Sequence, residues 1–248
     1  MSGAMATGAP PQFYPVYLDL RDRPCLVVGG GLIAESKARG FLEAGARVTV
    51  VAPEANPQIG AWAAAGRLSW MRRAFQDEDV RGAFLVVAAT DDRHLNAAIY
   101  RRADGAGCVA NAVDDLDHCN FIAAAVARAG AVQVAVSTAG QSPALAKRLR
   151  DQIARDVLTP PVAALSAFLG AWRPRVKQAL EGYERRQRFW EGVLEGCIPG
   201  LVAECHLAQA ERAMAECLHR SRTADAFATC AAHPTRPAAC GACRGAAS

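Results

Sequence analysis

The residues Gly29-Gly30-Gly31-Leu32-Ile33-Ala34 satisfy a G-x-G-x-x-A spacing, directly after the apolar run Pro24-Cys25-Leu26-Val27-Val28 and at the head of an Ala-rich stretch. In that context the pattern reads as strand, tight turn and helix, an arrangement that can grip a pyrophosphate. Gly29 permits the turn, Gly31 removes a Cβ where the pyrophosphate must approach, and Ala34 lets helix and strand pack closely. The unpaired N–H groups and the dipole at the helix start favour the anion. The competing reading is a glycine-rich turn with no ligand. The contact set on the first reading is Gly29, Gly30, Gly31, Leu32 and Ile33. The next apolar run, RVTVVAPE, does not end in an acid positioned for a ribose diol; the nearest acid is Glu54, beyond Pro53, and both residues join the candidate cofactor contacts. That rule therefore leaves NAD and NADP both open, and Arg47, at the start of the run, reads as a surface residue.

Three further groups could do chemistry. Thr90 and Asp91 follow an apolar run ending at Ala88-Ala89 and either touch a ligand or cap the next helix. Asp114, Asp115 and Asp117 crowd one loop with His118 and Cys119; such carboxylates could raise one another's pKa and offer oxygen ligands to a metal, or could simply be solvated. Near the end, Cys230 and His233 form C-x-x-H, and Cys240 and Cys243 form C-x-x-C, a set that either completes a four-ligand metal site or lies in an unstructured tail.

The elements that must position these groups follow from periodicity. Strands are expected at Pro24 to Val28, Arg47 to Val51, Leu68 to Met71, Ala83 to Ala89 and Cys108 to Ala112. Helices are expected between them at Leu32 to Ala44, Pro57 to Ala65 and Arg93 to Ala106. That alternation predicts an α/β fold with a Rossmann-type doubly wound parallel sheet. Phe121 to Ala125 and Val132 to Ser137 predict a small β element. Helical periodicity then covers Ser142 to Asp156, Val162 to Trp172, Val176 to Leu194 and Leu201 to His219, punctuated by Pro160-Pro161, Pro174 and Pro199-Gly200. The expected division is a flexible leader 1–13, a dinucleotide-binding domain 14–114, a β/helix element 115–150, a helical domain 151–219 and a Cys-rich mobile tail 220–248.

Composition fits this division. The 248 residues are 52% hydrophobic, 21% charged and 6% aromatic, which excludes a disordered or collagen-like chain. A net charge of +4 is too mild for a nucleic-acid binder and is compatible with a local site for an acidic ligand. No apolar window approaches the roughly 20 residues of a membrane span, and the first residues lack the pattern of a signal peptide. The expectation is a cytoplasmic protein whose nine cysteines are mostly thiols, without nucleic-acid or membrane partners.

The segments VYLDLRDRPCLVVGGGLIAESKARGFLEAGARVTVVAP, VVAATDD, CVANAVDDLDHCNFI and VAVSTAGQSPALAKRLR together resemble the precorrin-2 dehydrogenase/sirohydrochlorin ferrochelatase family, which includes the amino-terminal module of siroheme synthase. The resemblance spans about Tyr14 to Arg150 and continues more weakly around Gly182 to Trp190. It implies oxidation of precorrin-2 with NAD to sirohydrochlorin, then insertion of ferrous iron to give siroheme, with cobalt the alternative metal. It also implies that Asp114, in Asn111-Ala112-Val113-Asp114, is the catalytic base of both steps and meets the metal transiently. Chemically a carboxylate suits both, since oxidation releases a proton and chelation strips pyrrole N–H protons. A dehydrogenase without chelatase activity and a non-catalytic dinucleotide or metal sensor are the rival readings.

The resemblance further assigns substrate contacts to Asn111, Ser137, Thr138, Gly140, Ser142 and Arg148. The Ser137 to Pro143 loop borders the family's tetrapyrrole site, and Thr138 occupies a position where a relative has a regulatory phosphoserine. Arg148, Arg150 and the set Arg173, Arg175, Lys177, Arg185, Arg186 and Arg188 are candidate partners for a fringe of carboxylates, or a solvated basic face. A homodimer is implied through the helical half. With no segment resembling the family's methyltransferase domain, a separate uroporphyrinogen methyltransferase is expected to act upstream.

Overall fold

The computed structural model describes residues 13–223. They divide into two compact units, 13–123 with 138–142, and 124–137 with 143–223. The expected boundary at 150 falls inside a helix of the second unit.

The first unit is a five-stranded parallel sheet built from β1 (Pro24–Val28), β2 (Arg47–Val51), β3 (Ser69–Met71), β4 (Leu85–Ala88) and β5 (Val109–Ala112), in the order β3-β2-β1-β4-β5. The central strands are continuous apolar runs because both faces are covered. Cys25, Val27, Val48, Val50, Leu85 and Val87 face α1 (Leu32–Glu43) and α2 (Pro57–Ala64), where Ala34, Ala38, Ile59 and Trp62 complete the layer. Leu26, Val28, Val51, Val86 and Ala88 point the other way, onto Ile99 and Ala103 of α3 (Arg93–Gly105) and Val80 of a 3-10 turn at Asp77–Val80. The doubly wound Rossmann-type expectation is therefore met. Strand order reverses between β1 and β4, so the loops after these strands diverge and leave a crevice at their carboxyl ends.

The second unit opens with an antiparallel hairpin, β6 (Ala125–Ala129) and β7 (Val132–Val136), closed by Gly130 at φ +57°. The expected strand at Phe121 to Ala125 is thus displaced towards the turn. The Phe121 carbonyl accepts a hydrogen bond from Asn111 Nδ2 (3.0 Å), which keeps that residue at the end of the first unit's sheet. The helices follow as α4 (Pro143–Asp156), α5 (Pro160–Ala179), α6 (Tyr183–Glu195), α7 (Ile198–Ala203) and α8 (Leu207–Thr223).

Two expected breaks move. Pro174 lies inside α5, and the chain turns instead at Gly182, φ +80°. One missing N–H is outweighed by burying Phe168, Trp172, Val176 and Leu180 on a continuous face. The expected single helix from Leu201 is interrupted after Ala203, where Cys205 takes φ +61° before α8 begins. Phe189, Val193, Ile198, Leu201 and Met214 complete this helical core. Among the described residues no helix is long and apolar enough to cross a membrane.

Candidate functional site

A cleft of about 870 Å³ opens at the carboxyl ends of β1 and β4. Its walls include Gly29, Gly30, Gly31, Leu32, Ile33, Pro53, Glu54, Thr90, Asp91 and Asp114, so every residue expected to meet a dinucleotide lines the same space as the expected base.

The glycines are there for different reasons. Gly29 adopts φ +125°, and a Cβ on it would lie 2.2 Å from the Ala89 carbonyl oxygen. At Gly30 a Cβ would lie 1.9 Å from the Glu54 carbonyl oxygen, so the close approach falls on the middle glycine and is made by the loop after β2. Gly31 has open space where its Cβ would be. It also precedes the first turn of α1 without a side-chain cap, which leaves the helix start facing the cleft wall it forms. Ala34 is fully buried against the sheet, the close packing expected of it.

Sequence patterns missed the residues that tie these loops together. Asn56 donates its backbone N–H to the Gly30 carbonyl (2.9 Å) and its amide to Glu35 Oε2 (2.7 Å), and its Oδ1 caps α2 by accepting from Ile59 N (3.1 Å). A residue of the second loop thereby holds the glycine loop and the first turns of α1. An Asn before a proline is a recognisable cap, but its long-range partners are visible only in the fold.

On the opposite wall, neither Thr90 nor Asp91 caps α3. Asp92 does, accepting from His94 N (2.8 Å) and Leu95 N (3.1 Å). Thr90 turns inward to buried Asn96, and Asp91 stays on the cleft wall. Arg47 donates to the Asp22 carbonyl (3.0 Å) and is absent from the cleft lining, in keeping with its expected surface role.

Asp114 follows β5 in the left-handed region, φ +59°, and is the only one of the loop's three aspartates that lines the cleft. Asp115 pairs with His118 Nδ1 (2.8 Å), and this hydrogen bond holds its carboxyl below the usual carboxylate range. Asp117 is exposed. Across the cleft loop, Lys37 of α1 lies partly buried; desolvation lowers its pKa, opposed by the charge of Asp114. No group of three or more potential metal ligands assembles among the described residues.

The expected substrate contacts are dispersed. Asn111 spends its amide on the Phe121 carbonyl and does not line the cleft. Thr138, Gly140 and Ser142 form a turn of the first unit, with Ser142 N donating to Thr138 Oγ1 (3.0 Å) and Gly140, φ +81°, against Leu116. Ser137 and Arg148 belong to the second unit, where Arg148 is exposed on α4. Cys230, His233, Cys240 and Cys243 lie outside the described residues.

Three family models match in chain order: "Putative NAD(P)-binding" over residues 16–125, "Sirohaem biosynthesis protein central" over 130–156 and "Sirohaem synthase dimerisation region" over 162–218. The chain belongs to the family of the siroheme synthase amino-terminal module. A siroheme synthase of Photorhabdus laumondii is 38% identical over 225 residues, covering 91% of this chain and 48% of that protein. One from Neisseria meningitidis serogroup B is 38% identical over 213 residues, covering 86% and 44%. The chain thus spans about half the length of these relatives. Among solved structures, "SirC, precorrin-2 dehydrogenase" superposes with a TM-score of 0.66 at 29% identity, covering 80% of this chain and 99% of that one. The cleft falls wholly within the segment matched as NAD(P)-binding.

Proposed function

We propose that this siroheme synthase module oxidises precorrin-2 to sirohydrochlorin with NAD and then inserts ferrous iron to give siroheme. The observation that carries the reading is the convergence of the glycine loop and Asp114 on one cleft.

NAD suits the residues present. The start of α1 and the open space at Gly31 suit a pyrophosphate, and Glu54 on the same wall suits ribose hydroxyls while repelling a 2′-phosphate. NAD supplies the hydride acceptor. Asp114 takes the proton released in that oxidation and, in the second step, the pyrrole N–H protons displaced as Fe²⁺ or Co²⁺ enters. A carboxylate at this place can also give the incoming metal a transient oxygen ligand.

Thr138, Ser142, Arg148 and the neighbouring basic side chains are our candidates for the carboxylate fringe of the tetrapyrrole. The protein acts as a homodimer through its dimerisation region, in the cytoplasm, on precorrin-2 made by a uroporphyrinogen methyltransferase. An anaerobic time course with purified protein, precorrin-2 and NAD, followed before and after ferrous iron is added, tests both steps. NADH followed by accelerated appearance of the siroheme spectrum is the expected result. NADH without faster metal insertion would leave a dehydrogenase alone, and neither signal would leave a dinucleotide sensor.

A further inference from the structure

The loop that carries Asp114 contains a second acid next to it, yet only one of the two reaches the cleft. Two adjacent carboxylates competing for one place would split the population of any proton acceptor, so something must sort them.

The base of the loop is closed by the sheet. Val113 N donates to the Ala88 carbonyl (2.9 Å), Asn120 N to the Ala110 carbonyl (3.0 Å), and Asn120 Oδ1 accepts from Ala110 N (2.7 Å). Inside it, Asp115 accepts from Asp117 N (3.2 Å) through Oδ1 and meets His118 Nδ1 (2.8 Å) through Oδ2. The other ring nitrogen, Nε2, lies 3.3 Å from Arg101 NH1 of α3, and the Tyr100 ring stands edge-on at 5.7 Å. Arginine can only donate, so Nε2 accepts and the imidazole proton sits on Nδ1, directed at Asp115. Every link thus runs one way, from α3 through His118 to Asp115.

We infer that His118 is a positioning residue: it holds Asp115 within the loop, keeps the backbone at Asp114 left-handed, and so presents Asp114 alone to the cleft. The left-handed state costs a non-glycine residue roughly 1–2 kcal/mol and persists only where surrounding contacts impose it. A turn bond from Asp115 N to the Ala112 carbonyl (3.3 Å) closes the chain around Asp114, and His118 with Arg101 holds Asp115 in that turn from outside the cleft, touching neither substrate nor cofactor in the proposed reaction. The inference rests on that reading for its catalytic meaning, but its structural half stands apart.

His118→Ala and His118→Asn separate the possibilities, because an asparagine amide still donates to Asp115 whereas alanine cannot. For His118→Ala, backbone amides at 114–117 should exchange with deuterium about tenfold faster while those of β1 and β4 are unchanged. Turnover with precorrin-2 should fall about 10- to 100-fold at unchanged KM for NAD. His118→Asn should recover most of both, and adding Asp115→Ala to His118→Ala should cost little more, since the pair acts as a unit. Unchanged exchange in His118→Ala, or faster exchange with full turnover, would overturn the inference. If the unaltered protein makes no NADH from precorrin-2, the functional reading fails, and the exchange data still decide whether His118 holds the loop.

Discussion

Asn96 grips Thr90 at three points across the first turn of α3. Its Oδ1 accepts from Thr90 N (3.1 Å) and Thr90 Oγ1 (2.7 Å), and its Nδ2 donates to the Thr90 carbonyl (2.9 Å), with only 4% of the residue exposed. The amide therefore substitutes for the missing backbone partners of a loop that lines the cleft. In Asn96→Leu, a substitution of similar volume, Thr90 would keep an N–H and a carbonyl without their partner, while its hydroxyl falls back on the Asp92 backbone (3.2 Å to the carbonyl, 3.3 Å from N). The expected loss is about 2–4 kcal/mol of stability in urea unfolding, together with weaker NAD binding by calorimetry. Unchanged stability would mean that water takes over both lost bonds.

The middle and last glycines of the loop predict opposite outcomes when each is replaced by alanine. In Gly30→Ala the new methyl would meet backbone atoms of Glu54 and Ala55, at 1.9 and 2.7 Å, so the loop after β2 must shift and the bond from Asn56 N to Gly30 must stretch. Both melting temperature and NAD affinity should drop, with a stability loss of about 2–4 kcal/mol. Gly31→Ala meets nothing within 4 Å in the protein. It should leave the melting temperature nearly unchanged and weaken NAD alone, because its methyl would project where the proposed pyrophosphate lies. Equal losses of stability in both variants would contradict this division.

Local patterns made the sheet, its helices and the glycine loop legible, because each depends on residues a few positions apart. Asn56, Asn96 and His118 were not legible as site-builders, since each acts on a segment brought near only by folding. Pro174 shows the opposite failure: a strong local breaker signal is overridden by the buried face from Phe168 to Leu180. Sequence left Thr90 and Asp91 open between cap and ligand contact because Thr90, Asp91 and Asp92 are all good caps; in the fold Thr90 turns inward to Asn96 and Asp92 takes the cap. Among the acids after β5, sequence offered three, and backbone geometry brings one to the cleft.

Asp114→Asn tests that selection. Asparagine tolerates the left-handed backbone at φ +59° as aspartate does, so the loop and the melting temperature should be preserved. Loss of the proton acceptor should lower the rate of NADH formation about 100-fold or more while NAD still binds. If instead NADH forms at the original rate, the proton goes elsewhere, and Asp114 is at most a binding contact.

The cleft floor has its own acid sensitivity. Ala74 and Phe75 line it, and Arg73 just before them is fixed by a two-pronged pair with Asp79, NH1 to Oδ2 at 2.8 Å and NH2 to Oδ1 at 2.6 Å. Asp79 Oδ2 also accepts from Gln76 N (2.8 Å), and the Arg73 hydrogen bonds, opposed by desolvation, hold its carboxyl below the usual range. A carboxyl depressed in the folded state stabilises it fully above the unfolded value, about pH 4, and the contribution is lost as pH falls through the lower folded value. Asp79→Asn should therefore lower stability by about 1.5–3 kcal/mol at pH 7. The gap from the unaltered protein should persist down to about pH 4 and narrow below it, followed by urea midpoints between pH 7 and pH 2. A gap that stays constant to pH 2 would assign the effect to lost packing around Arg73 rather than to the charge on Asp79.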